Sequence, residues 1–176
     1  KDAATCSDGT KLSAGRFYRD LESALGKAQR ANKKQRVKAI HAKIKNRRKD
    51  ALHKFSTRLV NSHAAIFVGD VSSTKLTQTR MAKSVLDAGW AMLKTQLEYK
   101  AIARSVVFEV VNESYSTQTC SSCGTLPDSR PKGIAGLGIR EWTCSECRAE
   151  HDRDVNAAMN ILAAGHCRLA VGIPFL

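Results

Sequence analysis

Four cysteines form the clearest chemical pattern in the sequence. They occur as two Cys-x-x-Cys pairs separated by twenty residues: Cys120, Cys123, Cys144 and Cys147. Each pair places two thiolates on one turn, and two such turns complete a tetrahedral shell of four sulfurs that suits Zn²⁺. Because that shell has no open position, the pattern predicts a structural zinc ribbon, with a chance set of reduced thiols as the alternative. Cys6 and Cys167 lack partners at metal spacing and are predicted to be ordinary thiols.

Two acids that follow the second cysteine pair suggest a second kind of chemistry. Asp152 and Asp154 lie where a helix is predicted to begin. One interpretation is that they cap the helix and compensate its dipole. The other is a Mg²⁺ site, because carboxylates hold hard cations that activate water at a phosphate. Their spacing alone does not decide between these interpretations.

The charge of the chain indicates its class of partner. The 176 residues carry a formal net charge of +13, which favours nucleic acid and, less strongly, an anionic membrane surface. No stretch approaches the roughly 20 apolar residues of a membrane span. Between Lys27 and Lys49 there are eleven lysines and arginines and no acid. The residues predicted to contact nucleic acid are Lys33, Lys34, Arg36, Lys38, Lys43, Lys45, Arg47 and Arg48. The alternative for this stretch is an ordinary solvated helix surface.

The first sixty residues are predicted to form a hairpin followed by helix. Asp8-Gly9 supplies a turn that tolerates positive φ between two short segments that can pair. Asp20 is predicted to be the N-cap of a proline-free helical stretch at 21–60. That stretch is long enough to be one helix with a break or two consecutive helices.

The rest of the chain alternates strands and helices. Residues 64–71 and 105–111 are short apolar runs, which are typical of buried strands. An amphipathic helix is predicted at 77–101 and a capped helix at 151–165, ending at Gly165. The order of elements predicts an α/β fold that is mixed because of the hairpin.

Several longer segments resemble the TnpB (OrfB) family of transposon-associated proteins. These segments are "MAKSVLDAGW", "QLEYKA", "YSTQTCSSCG", "GIREWTC" and "HDRDVNAAMNIL". The family is often labelled transposase and is related to type V CRISPR effectors. The resemblance implies an RNase H-like (RuvC) nuclease domain interrupted by a four-cysteine zinc ribbon. It also implies RNA-guided cleavage of DNA, with Mg²⁺ held by three acids.

The third acid of the family corresponds to Asp154. It lies in a D-x-N-A-A pattern that Asn156, Ala157 and Ala158 complete in this sequence. The resemblance therefore implies that Asp154 is the metal ligand and that Asp152 is the helix cap.

The second acid of the family is a glutamate that falls on Gly69 of this chain. Asp70 follows, but a shift of one residue along a strand turns the side chain to the opposite face. Glu113, just after the neighbouring predicted strand, is the preferred replacement, and Glu109 within that strand is a weaker candidate. This assignment predicts that Glu113 and Asp154 project toward the same end of the sheet.

The first acid of the family belongs to a strand that precedes the opening hairpin. We expect the chain, which begins at Lys1, to lack that strand, to bind nucleic acid and to hold an incomplete metal site. The predicted partners are DNA and guide RNA, in a prokaryotic cytoplasm at the nucleoid. The predicted domains are residues 1–114 and 151–176 for the RuvC-like part and 115–150 for the zinc ribbon.

Two other functions are consistent with parts of the sequence. A non-catalytic remnant of a transposase that still binds DNA or RNA would explain Gly69 and the missing first acid. A basic zinc-ribbon protein of the translation machinery would explain the charge and the cysteines. It would leave the helix around Trp90 and the segment "DRDVNAAMN" unexplained.

Overall fold

The computed structural model describes residues 2–70, 89–133 and 135–171. In this part of the chain, four α-helices and six short strands form a mixed α/β fold with three two-stranded sheets. The described residues divide into two compact units. The first unit comprises residues 2–3, 13–65 and 89–108, and the second comprises residues 4–12, 66–70 and 109–171. No helix among the described residues is both long and apolar enough to span a bilayer.

The predicted hairpin is present at the start of the chain. Strand β1 (Asp2–Thr5) pairs with β2 (Lys11–Ser13). In the turn, Gly9 has a φ of +83°, a left-handed conformation that glycine adopts without steric cost. The Asp8 carboxylate accepts the Thr10 N–H at 2.8 Å and thereby closes the turn. The turn prediction at Asp8-Gly9 is confirmed.

Helix α1 spans Glu22–Arg30 and follows a 3₁₀ turn at Arg19–Leu21. The prediction of Asp20 as its N-cap is wrong, since Asp20 lies inside the 3₁₀ turn and Leu21 precedes the helix. The Asp20 carboxylate instead lies 3.6 Å from the Arg16 guanidinium. The Asp20 carboxylate therefore pairs with a residue four positions earlier and does not cap α1.

Helix α2 spans Lys34–Ser62, so the long helical stretch is two consecutive helices. The break lies at Asn32, whose φ of +52° ends α1 in the left-handed conformation. Asparagine tolerates this conformation better than most residues. The Lys33 N–H donates to the Ala28 carbonyl at 2.9 Å, so a backbone group at the break keeps a partner.

Apolar packing in the first unit is built on α2. The helix packs against α1 through Leu25, Ala28, Ile40 and Ile44, which form one buried cluster. Its second half packs against helix α3 (Trp90–Ala103). The residues buried in these two segments include Leu52, Phe55, Leu59, Leu93 and Leu97. Burial at three- and four-residue spacing explains why both segments are helical. Residues 77–88 of the predicted helix lie outside the described residues.

The two apolar runs are strands that pair with each other. Strand β3 is Ala65–Gly69, and β4 is Val107–Val111. The Val107 N–H donates to the Ala64 carbonyl and the Asp70 N–H donates to the Val111 carbonyl, both at 2.9 Å. Because both bonds advance along the chains together, the strands run parallel. Most of their residues are only half-buried, so the prediction of two fully buried strands is wrong in degree.

Helix α4 (Arg153–Val171) closes the second unit and runs past its predicted end. It follows a 3₁₀ turn (Ala135–Gly138) and an antiparallel pair of strands, β5 (Glu141–Thr143) and β6 (Glu150–Asp152). Gly165 lies inside α4, so the prediction that it ends the helix is wrong. A Cβ atom at Gly165 would contact the Phe67 ring directly. The glycine therefore allows close packing and does not cap the helix.

Candidate metal centre and acidic site

The two cysteine pairs form matching turns in the second unit. The Cys120 N–H donates to the Thr125 carbonyl and the Gly124 N–H to the Cys120 carbonyl, at 2.9 and 2.8 Å. The second pair repeats this pattern, with Cys144 N–H to the Ala149 carbonyl at 2.9 Å and Arg148 N–H to the Cys144 carbonyl at 3.0 Å. Gly124 and Arg148 both adopt positive φ, 75° and 64°. Each turn thus presents two thiols on one side.

The four sulfurs come together at one point. They lie within 4.8 Å of one another, with Cys120 and Cys147 Sγ 3.6 Å apart and Cys123 and Cys144 Sγ 3.8 Å apart. A tetrahedral centre with Zn–S bonds of about 2.3 Å requires sulfurs about 3.8 Å apart. Cys120 and Cys144 are fully buried, whereas Cys123 and Cys147 are exposed. The donor set and its spacing therefore fit a metal ion held by four thiolates.

The surroundings of the cluster favour thiolate over thiol at one position. The Thr125 hydroxyl lies 3.1 Å from Cys123 Sγ, and hydrogen bonds from its side chain and then its backbone lower the pKa of Cys123 to about 6. Since metal ligands must be deprotonated, this environment prepares Cys123, one of the four sulfurs, for metal binding.

His151 is a neighbour of the cluster that the sequence patterns missed. Its Nε2 lies 3.0 Å from Cys120 Sγ, and burial lowers the pKa of His151. The ring also packs on Trp142, 4.8 Å between centroids, because the two residues are partners in the β5–β6 pair. The sequence predicted a helix from residue 151, whereas His151 lies in strand β6, and this strand brings its ring to the cluster.

Asn156 of the D-x-N-A-A pattern joins α4 to the first cysteine turn. It is 2% exposed, and its Oδ1 accepts the Ser121 N–H at 2.9 Å. Its Nδ2 donates to the carbonyls of Ser116 and Thr119, and Asn160 one turn later donates to the same two carbonyls. The backbone that leads into Cys120 is therefore held from the helix that carries Asp154.

Replacing Asn156 by alanine is expected to destabilise the second unit more than replacing Asn160. Asn156→Ala leaves the Ser121 N–H without its acceptor, at a cost of about 1–3 kcal/mol for a buried group. In Asn160→Ala, both carbonyls keep Asn156 as a donor, so a smaller loss is expected. Urea unfolding followed by circular dichroism measures both variants. Equal losses would show that the Ser121 contact contributes nothing.

The two acids at the start of α4 have different partners. Asp152 Oδ1 accepts the N–H groups of Asp154 and Val155, at 2.9 and 3.0 Å, so Asp152 is the N-cap as predicted. The hydrogen bond from the Val155 N–H is the largest cause of a lowered Asp152 pKa. The Asp154 carboxylate lies 3.1 Å from the guanidinium groups of both Arg140 and Arg153. Two cations thus compensate a carboxylate that is 30% exposed.

Glu113 lies directly against Gly69. A Cβ atom built on Gly69 would contact the Glu113 carboxylate. The Glu113 side chain therefore occupies the space into which a side chain at position 69 would project. Asp70 Oδ1 accepts the Glu113 N–H at 3.2 Å, so it contacts the backbone at the end of β4. Burial raises the pKa of Glu113, and the nearby Asp70 charge raises it further.

The predicted nucleic-acid contacts lie at the start and in the first half of α2. Seven of the eight side chains are exposed: Lys33, Lys34, Arg36, Lys38, Lys43, Lys45 and Arg47. Arg48 is half-buried, and its Cδ lies 3.0 Å from where a Cβ of Gly89 would be. The apolar stem of Arg48 is therefore partly used in packing. These seven exposed residues define what is called the basic surface of α2.

Comparison with known proteins identifies relatives for most of the chain. A family model described as "Probable transposase" matches residues 2–80, and one described as "Cas12f1-like, TNB domain" matches residues 90–161. A "Putative RNA-guided DNA endonuclease" of Streptomyces pristinaespiralis is 38% identical, over 96% of this chain and 44% of the relative. "Putative RNA-guided DNA endonuclease InsQ" of Escherichia coli K12 is 29% identical, over 96% and 48%. The chain spans about half the length of these curated relatives.

Solved structures share the fold. In the cryo-EM structure of the Cas12f1–sgRNA–target DNA complex, one chain is similar with a TM-score of 0.64 and 17% identity. The similarity covers 86% of this chain and 43% of that one. The fold, the family models and the curated relatives agree with the motifs around the cysteines and Asp154. The chain belongs to the TnpB (OrfB) family.

Proposed function

We propose that the chain is part of an RNA-guided DNA endonuclease, with an RNase H-like (RuvC) nuclease domain interrupted by a zinc ribbon. The observation that carries this proposal is the contact between Glu113 and Gly69. The family places a glutamate at the position of Gly69, and here the carboxylate of Glu113, just beyond the end of β4, fills the same space. In the proposed site, Glu113 takes the place of that glutamate.

The proposed hydrolytic site contains Glu113 and Asp154. Both are carboxylates, the donors that Mg²⁺ prefers. Burial and the charge of Asp70 raise the pKa of Glu113, and a cation nearby would favour its ionised form. Bound there, Mg²⁺ would supply a Lewis acid for phosphodiester hydrolysis. Asp70 fixes the backbone of Glu113, and Arg140 and Arg153 hold the Asp154 carboxylate.

The four-cysteine cluster is proposed to hold a structural Zn²⁺. Four thiolates complete a tetrahedral shell, so no position remains for a substrate or a water. The proposed ribbon at residues 115–150 then lies between two RuvC-like segments, 1–114 and 151–176. Asn156 connects the ribbon to the helix of Asp154, which gives the metal a role in placing the acid.

The basic surface of α2 is proposed to bind the backbone of guide RNA and DNA. Exposed lysines and arginines read charge and duplex shape, and base pairing with the guide would supply sequence specificity. The Cas12f1 structures are complexes with guide RNA and target DNA, which supports this class of partner. The corresponding location would be a prokaryotic cytoplasm, at the nucleoid.

Cleavage by a chimera tests the proposed function. Because the chain spans 44% of the Streptomyces relative, the chimera joins the remainder of that relative to this chain. With the guide RNA of the relative and Mg²⁺, we expect cutting of a matched DNA duplex. Asp154→Asn is expected to abolish cutting, whereas Asp152→Ser is expected to retain it because serine also caps helices. Cutting by Asp154→Asn would remove Asp154 from the site.

A non-catalytic nucleic-acid-binding remnant is the second candidate. One observation favours it: two guanidinium groups already neutralise Asp154. In that case the chimera would bind guide RNA and target DNA without cutting, with or without added Mg²⁺. The same assay therefore separates the two functions.

A further inference from the structure

A shallow, open pocket on the second half of α2 lies apart from every residue assigned above. Its volume is about 530 Å³. The residues that line it, among those the structure describes, are His53, Lys54, Thr57, Arg58, Asn61 and Ser62. None of these six is acidic. The pocket is thus lined by groups that can donate hydrogen bonds to an anion.

Lys100 of α3 places a buried ammonium behind this pocket. The residue is 7% exposed, and its Nζ donates to the His53 carbonyl at 2.9 Å, to Ser56 Oγ at 2.6 Å and to Thr57 Oγ1 at 2.8 Å. All three acceptors are neutral. Burial lowers the pKa of Lys100, and the charge of Arg104 lowers it further. A cation held by neutral oxygens leaves a positive field that a bound anion can complement.

Thr57 connects the buried ammonium to the pocket. Its hydroxyl oxygen accepts a hydrogen bond from Lys100, and the residue lines the pocket. A hydroxyl that accepts one hydrogen bond still has its own proton to donate. Polarisation by the ammonium makes that proton a stronger donor. The Thr57 hydroxyl can therefore donate its proton to an anion in the pocket.

Arg58 is held in place at the same pocket. Its guanidinium carbon lies 5.4 Å from the centroid of the Phe55 ring, and Phe55 is buried. This cation–π contact limits the motion of the side chain, so less entropy is lost when it binds a ligand. Lys54, by contrast, is paired with Asp50 at 2.7 Å. Arg58 and Lys100 are therefore the main sources of positive charge at the pocket.

From these contacts we infer that the pocket binds a phosphodiester group of a nucleic-acid backbone. A guanidinium and a hydroxyl can each engage a phosphate oxygen, and Asn61 adds an amide donor. The inference rests on the proposed nucleic-acid partner and adds a defined phosphate contact outside the basic surface of α2. The same chemistry would serve a DNA duplex or an RNA–DNA hybrid.

Salt dependence of binding tests this inference. The 176-residue chain is titrated against a labelled DNA duplex and an RNA–DNA hybrid of the same sequence, without added Mg²⁺, from 50 to 200 mM salt. On the probe that uses the pocket, Arg58→Gln should reduce the slope of log K against log salt by about 0.9, the value for one phosphate contact. Thr57→Val should weaken binding with little change of slope, since it removes a neutral donor, and Thr57→Ser should bind like the unchanged chain.

Arg16→Gln is the matched control, because Arg16 is exposed and paired with Asp20. It should alter the slope much less than Arg58→Gln. Slopes for Arg58→Gln equal to those of the unchanged chain on both probes would overturn the inference. Polyglutamate serves as a polyanion without phosphate. If Arg58→Gln weakened binding to polyglutamate but to neither nucleic-acid probe, the inference would also be overturned. Cleavage by the chimera is measured separately, so loss of the pocket and loss of the nuclease proposal are distinguishable.

Discussion

Replacing Glu113 by glutamine is expected to reduce DNA cleavage by the chimera at least about 100-fold. Loss of a group that only supports a metal ligand already costs about 10–100-fold, and a direct ligand should cost no less. Glutamine keeps the size of the side chain and removes its charge. Cleavage rates at saturating Mg²⁺ and at graded lower concentrations measure the effect. A smaller loss of cleavage than this, or a Mg²⁺ requirement equal to that of the unchanged chimera, would assign Glu113 a different role.

Moving the carboxylate back to position 69 should restore part of the activity. The Glu113 side chain fills the space that a side chain on Gly69 would occupy, so both cannot be present without displacement. The double variant Gly69→Glu/Glu113→Ala is therefore expected to cut faster than Glu113→Ala. Gly69→Ala alone should displace the Glu113 carboxylate and lower cleavage.

Glu109→Gln is the matched control for this series. Glu109 lies within β4, four residues before Glu113, and is also half-buried, so its replacement tests the effect of removing a nearby acid. Cleavage close to that of the unchanged chimera is expected. Full activity in Glu113→Gln, or equal losses in both variants, would remove Glu113 from the hydrolytic site.

Replacing Cys144 by serine is expected to abolish metal binding and unfold the region around the cysteine cluster. Structural zinc contributes about 10–16 kcal/mol to folding in zinc-finger peptides, and few apolar residues here could replace it. The buried cluster consists of Cys120, Trp142 and Cys144 alone among the described residues. Zinc content should fall from about one ion per chain to near zero, which elemental analysis measures.

Trp142 reports the structural effect of the same variant. It is 6% exposed, so loss of the cluster should shift its fluorescence to the red, read in a Trp90→Phe background. Cys167→Ser is the control, since Cys167 is an exposed thiol on α4 outside the cluster. It should keep zinc and the native emission. Native Trp142 emission in metal-free Cys144→Ser would show that the ribbon folds without metal.

Short-range spacing predicted the features that a few neighbouring residues decide. The two cysteine pairs and the Asp8-Gly9 turn depend on contacts within about five residues. The capping role of Asp152 is equally local, but the family resemblance and not the spacing predicted it. The helical stretch at 21–60 was predicted as one helix with a break or as two consecutive helices, without a position for the boundary. The structure has two helices, which are separated at Asn32 by its left-handed φ.

Predictions failed where a distant residue decides the outcome. The local sequence around Gly165 predicted the end of a helix. In the structure the Phe67 ring packs where a side chain at Gly165 would be, and α4 continues past this residue. The Asp20 prediction is an exception, because Arg16, with which its carboxylate pairs, is only four residues away. His151 had no motif, yet the pairing of β5 with β6 and the cysteine turns bring it to Cys120.

The family, the cysteine set and the strongly basic charge could be predicted from the sequence alone, because they depend on residue type and spacing. The contact of Glu113 with the space beside Gly69 and the position of Lys100 behind Thr57 became visible only in the folded chain. The first contact joins residues 44 positions apart and exists because parallel pairing aligns the ends of β3 and β4. The second exists because α3 packs on α2. Pattern within one segment carries no information on which side chains a second segment will bring to it.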